Sequence, residues 1–176
     1  MKKARKSPLK EQWIHRLSLS VSGFCPPHPT TKQLRKIIQS ALMPHIRQAY
    51  IGVMLTDAEQ SSALNQRWRH QNYPTNVLSF SLSEATPNSV HSHNILIGDL
   101  VLCTPLVVKE AAQQQQPLHA YYALLIIHGM LHLQGYHHEA NQKAAALMLQ
   151  LEYRILQKLG YQHPYITHDT LPVNQT

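Results

Sequence analysis

A single α+β domain, with a small mixed β-sheet covered by helices, is the fold class this sequence predicts. Three observations lead there. Four short runs with strand-like alternation or β-branched content are interleaved with segments of helical periodicity rather than grouped at one end. The longest helical patterns stand in the second half, one apolar throughout and one amphipathic. With 176 residues and one metal-type motif, the chain has the size of one domain able to bury an ordinary core.

The elements follow in order. WIHRLSLSV, about residues 13–21, alternates as a strand does, and PPHPTTKQ marks the loop after it. Thr31 is a plausible cap for a helix running to about Arg47. AYIGVMLT is the second strand. Asp57 caps the next helix, on which Leu64 and Trp68, four apart, are expected on the buried side before the turn residues QNYPTN stop it. NVLSFSL is the third strand. SEATPNSVHSHN is polar and turn-rich and reads as a surface loop, after which ILIGDLVLC forms a strand beside the preceding one. Beyond Thr104 and Pro105, LVVKEAAQQQ makes a helix; Pro117 starts a buried one; and AAALMLQLEYRILQKLG forms an amphipathic helix ended by Gly160. The expected boundaries are a flexible basic arm at 1–10, the domain at 11–165 and a loose tail at 166–176. The QQQQ run is too short to count as low complexity, and no internal repeat is evident.

Chemistry concentrates in HGMLHLQGYHH, residues 128–138. His128 and His132 are four apart, so on a helix their rings share one face, about one turn from each other. Gly135 follows where a glycine can adopt the left-handed conformation that ends a helix and reverses the chain, bringing His138 back toward the first two. His137, adjacent to His138, is the alternative third ligand. Three imidazoles leave the fourth tetrahedral position for water, the arrangement of a catalytic rather than a structural zinc site. Clustering by chance is the competing explanation in a chain with 13 histidines, but the spacing and the glycine fall where geometry needs them. The protease helix HExxHxxGxxH shares this ligand spacing and adds a Glu general base after its first His; here that position is Gly129, so peptidase chemistry becomes a minor alternative. Zinc on three histidines lowers the pKa of its water to about 7 without an adjacent carboxylate, which suits a phosphodiester substrate.

HGMLHLQGYHH, with PTNVLSF at 74–80, GDLVLC at 98–103 and LGYQHPY at 159–165, resembles the YbeY family of bacterial rRNA maturation factors, which are single-strand-specific, metal-dependent endoribonucleases. The resemblance runs from about Ala49 to Tyr165. It implies an α+β fold, zinc on His128, His132 and His138, and a functional arginine at Arg69, with Arg67 two residues before it. An arginine there can grip phosphate through two charge-assisted hydrogen bonds, although a cation at the end of a helix also complements its dipole. The resemblance further implies single-stranded RNA and rRNA precursor as substrates, action at the 3′ end of 16S rRNA, late-stage ribosome quality control, and the ribosome or its proteins as partners. Two positions depart from the family pattern: His137 stands where it has Asp, and His163 where an acidic residue is common. Nickel, copper or iron also suit imidazole ligands.

Composition agrees with an RNA partner. Sixteen Lys and Arg against nine Asp and Glu give a formal charge of +7, five of the cations falling in MKKARKSPLK. That segment is either an RNA-binding arm or a solubilising tail. No membrane association and no DNA substrate are expected. Cys25 and Cys103 form no disulfide or CxxC pattern, so reduced thiols and a cytoplasmic location are expected. A ribosome-assembly factor with a structural metal remains the main non-catalytic alternative.

Overall fold

The computed structural model describes residues 16–23, 25–82, 94–139 and 141–164. Residues 1–10, the first positions of the expected opening strand, most of the expected surface loop and the tail therefore lie outside the described residues.

Four strands make one mixed sheet in the order β1-β2-β4-β3: β1 Arg16–Ser22, β2 Gln48–Thr56, β3 Val77–Ser81 and β4 Ile95–Cys103. β1 and β4 both run parallel to β2, in registers that place Leu19 beside Ile51 and Val53 beside Leu100. β3 pairs antiparallel with β4, Leu78 opposite Val101. Side chains alternate across a strand, so Ala49, Ile51, Val53 and Leu55 of β2 and Leu96, Leu100 and Leu102 of β4 share one buried face. The core forms there, with apolar residues of α1 (Thr31–Ala41), α4 (Leu118–Leu133) and α5 (Gln142–Leu159). The remaining helices are α2 (Ala58–Arg69), which packs on β4 and α3, and α3 (Thr104–Gln113), which packs on α4.

The fold class is as expected, and the local departures have local causes. The cap of α1 is Thr30, not Thr31: Gln33 N donates to Thr30 Oγ1 at 3.3 Å while Thr30 N donates to Gln33 Oε1 at 2.8 Å, a reciprocal capping box. The same helix stops at Ala41 rather than near Arg47, because Pro44 has no N–H to give and its ring would collide with the carbonyl four residues back. α5 begins at Gln142, before the expected Ala144, because Asn141 caps it through the Ala144 N–H at 2.9 Å.

The larger correction concerns α2. Asp57 caps it as expected, accepting from Gln60 N at 2.8 Å, but its inward residues are Ser61 and Asn65, and Trp68 is 58% exposed. An apolar stripe does not hold this helix. Ser61 Oγ donates to Thr75 O at 2.8 Å and accepts from Thr75 N at 3.1 Å, and Asn65 Nδ2 donates to Tyr73 O at 2.8 Å. Paired polar groups thus replace apolar burial on its inner face. Among the described residues no helix is long and apolar enough to cross a membrane.

Candidate metal centre

α4 is apolar on almost every side, as a helix enclosed by its neighbours must be. From Ala120 to Leu133 every residue is buried except His128 and His132, which face the same side one turn apart. Their Nε2 atoms lie 3.1 Å from each other. Beyond Leu133 the helix ends in a Schellman turn: Gly135 N donates to His132 O at 3.0 Å and Tyr136 N donates to Leu131 O at 3.1 Å. Gly135 has φ 86°, and nothing lies within 4 Å of where a Cβ would stand, so glycine is required here for its backbone angle and not for lack of space. Tyr136 packs back on the core, and Gln134 ties the turn to the end of α1 by donating to Ala41 O at 2.9 Å and accepting from Met43 N at 2.8 Å.

The reversed chain returns His138 to the pair. Its ring centroid is 5.4 Å from that of His128 and 5.2 Å from that of His132. One nitrogen from each of the three falls within 4.8 Å of the others, a group able to hold a metal ion. Two ligands on a tetrahedral zinc at about 2.0–2.1 Å stand roughly 3.4 Å apart, so the pair on the helix is already near that spacing and the exposed His138 need only swing inward. His137, the alternative ligand, instead approaches the far side of His132, Nδ1 to Nδ1 at 3.3 Å.

One of the three, His132, is held in the protonation state a ligand needs. Burial, followed by the neighbouring imidazoles His128, His138 and His137, holds His132 down at about 4, so near neutral pH it presents the uncharged ring a metal requires. His128 Nδ1 donates to Glu152 Oε1 at 2.7 Å, which fixes the tautomer with Nε2 turned toward the other two rings. Burial alone would raise the Glu152 carboxyl, but hydrogen bonds from His128 and His163 outweigh it and leave the group below its ordinary range. His163 Nε2 sits 3.6 Å from the other carboxylate oxygen, with its side chain wholly enclosed.

Glu152 is the site residue that sequence reasoning missed. A signal was present: Glu152 falls on the stripe of Met148, Ile155 and Leu156, where a helix buries apolar residues. A carboxylate in that stripe demands a partner.

A cleft of about 660 Å³ joins these histidines to α2 and β3. His128, His132, His138 and Glu152 line it, together with Arg69, Trp68, Phe80 and the segment Thr75–Ser79. Arg69 stands in this wall, whereas Arg67 lies against the Trp68 ring, its guanidinium carbon 5.3 Å from the centroid. Asn76 is held in the wall by donating to Glu110 Oε2 at 2.8 Å, and Tyr121 Oη donates to the same oxygen at 2.9 Å. Gly129 lies on the cleft and is closely packed. A Cβ there would meet Leu100 Cδ2 at 2.8 Å and Val77 Cγ2 at 3.4 Å, so any side chain at this position must displace the end of Leu100.

Comparison with known proteins points the same way. The solution structure of the Thermotoga maritima protein TM1509 shares the fold, with TM-score 0.51 at 19% identity over 89% of this chain and 99% of that one. The endoribonuclease YbeY of Chromobacterium violaceum is 42% identical over 94% of this chain and 97% of its own length. That of Burkholderia lata is 46% identical over 74% of this chain and 73% of its own. The family model described as Endoribonuclease YbeY matches residues 27–160, and the chain therefore belongs to the YbeY endoribonuclease family.

Proposed function

We propose that this chain is an endoribonuclease that cuts single-stranded RNA, with one zinc ion on His128, His132 and His138 and with Arg69 as the cationic catalytic residue. The carrying observation is that one cleft brings together three convergent imidazoles and an arginine, with Gly129 rather than a glutamate at the position after the first histidine. A divalent metal in that position supplies Lewis acidity toward a phosphoryl oxygen and a water acidic enough to act near neutral pH. The chain's own residues do the rest. Arg69 presents a planar, cationic fork of N–H donors, so it binds a phosphate and opposes the charge that develops on it. Glu152 keeps His128 in one tautomer, and the packed body of α4 prevents the two helical histidines from drifting apart.

The family and the net charge of +7 support an RNA substrate. Within it we assign the chain to rRNA precursor, at the 3′ end of 16S rRNA, with a wider part in ribosome quality control alongside the ribosome or its proteins in the cytoplasm. A flexible strand suits a recessed site, because its backbone can bend into the cleft. The test is metal analysis together with cleavage of an unstructured RNA, on wild type and on His132→Ala. One tightly held metal per chain and robust cleavage are expected for wild type, with both falling to background in the variant. Cleavage that survives in His132→Ala overturns the proposal.

A further inference from the structure

The inference here rests on the nuclease reading and adds to it a binding subsite for the substrate. Trp68 stands seven residues after Ser61 and three after Asn65, on the stripe that α2 turns inward. Its side chain nevertheless remains 58% exposed. The indole lines the cleft, as do Arg69 beside it in sequence and Phe80 across from it on β3. The Trp68 and Phe80 rings lie 5.7 Å apart and 59° from parallel, so Phe80 braces the indole without stacking flat on it. Arg67 lies over the indole, its guanidinium carbon 5.3 Å from the centroid, so a base must stack on the ring surface that Arg67 leaves uncovered. A half-open aromatic ring between two arginines, in the wall of the cleft that holds the three histidines, has the composition of a platform for single-stranded nucleic acid: a ring for the base, cations for the backbone.

We propose that Trp68 is the stacking platform for one unpaired base of the RNA, with Phe80 as its brace and with the neighbouring phosphate directed to Arg69. A base inside a duplex has both faces covered by its neighbours and cannot occupy such a platform; an unstacked base can. The subsite therefore gives single-strand preference a physical cause within this chain. It also accounts for why the inward stripe of α2 ends in a large apolar ring that the core does not use.

The test measures binding of a short unstructured single-stranded RNA, and of the same RNA with its bases removed at successive positions. Full-length wild type, Trp68→Ala and Trp68→Tyr are compared, each zinc-loaded and chelator-stripped, with melting curves to confirm that all three fold. Trp68→Ala is expected to weaken binding roughly five- to a hundredfold, the range of one lost base stack, and Trp68→Tyr to retain most of the affinity. One abasic position should weaken wild type by a similar factor and leave Trp68→Ala unchanged. With Trp13→Phe making Trp68 the single indole, RNA should quench the fluorescence. Equal affinities of wild type and Trp68→Ala, with wild-type cleavage intact, overturn the subsite and leave the nuclease reading standing. A Trp68→Ala defect that persists undiminished at every abasic position assigns the loss to the fold or backbone and also overturns it. Wild type that neither binds nor cuts RNA overturns both.

Discussion

The two helices that furnish the cleft, α4 and α2, are held in place by different forces. α4 is gripped on all sides, and His128 and His132 are the two positions between Ala120 and Leu133 that escape burial. α2 buries only Ser61 and Asn65 and is tied down by hydrogen bonds to the strand-entry segment at Tyr73 and Thr75. The metal ligands thus inherit their geometry from the core, whereas Arg69 and Trp68 sit on an element the core hardly touches. A change on α4 should move stability and metal together; a change on the cleft side of α2 should move chemistry alone.

Arg69→Glu puts that distinction under the greatest strain. Losing one charge-stabilising donor set is expected to lower RNA cleavage by about 10²–10³-fold. Because Arg69 is exposed, metal content and melting temperature should stay at wild-type values. A variant that lost its metal or melted early would show that α2 and the metal centre are one mechanical unit.

Glu152→Gln probes the other side. The amide keeps the shape of the carboxyl but removes the charge that His128 and His163 face from either oxygen. Outer partners of this kind typically account for about 10–100-fold in metal affinity. Competition against a chromophoric chelator should find a loss in that range, with the fold retained; wild-type affinity would mean that packing alone orients His128. Gly129→Ala then measures how tightly α4 is seated. The added methyl would press on Leu100 Cδ2 at 2.8 Å and on Val77, and overpacking of this sort costs about 1–3 kcal/mol in denaturant unfolding. Unchanged stability would show that β4 yields more readily than a packed core should.

The same contrast decides what was legible in the sequence. The ligand pair could be read because a helix encodes shared faces in a four-residue offset, and Gly135 because a left-handed turn at φ 86° favours glycine. The end of α1 was readable as well, at Pro44, and was placed too late. Spacing could mark Glu152 as a carboxylate on a buried stripe but not name its partner, since it meets His128 from 24 residues away through the packing of α5 on α4. Trp68 was misplaced because periodicity assumes that an apolar residue on the inward stripe is core. On α2 that stripe is anchored by Ser61 and Asn65 instead, which leaves the indole for the cleft.

Asn65→Ala should have the smallest effect and bears most directly on how α2 is held. Asn65 is 1% exposed; its Nδ2 donates to Tyr73 O at 2.8 Å, while its Oδ1 has no hydrogen-bond partner among the described residues. The substitution removes one made bond and at the same time one buried acceptor that gains nothing from burial, so the two changes partly offset. A stability loss of about 0.5–1.5 kcal/mol is expected, at or below that of Gly129→Ala. Metal affinity should not change, because no ligand rests on α2. The segment that Asn65 holds leads into Thr75 and Asn76 in the cleft wall, so KM for RNA should rise while the metal site stays intact. If Asn65→Ala instead destabilised the protein as much as overpacking β4 does, hydrogen bonding on α2 would be as deep a part of the fold as the apolar seat of α4, and the division between the two walls would not hold.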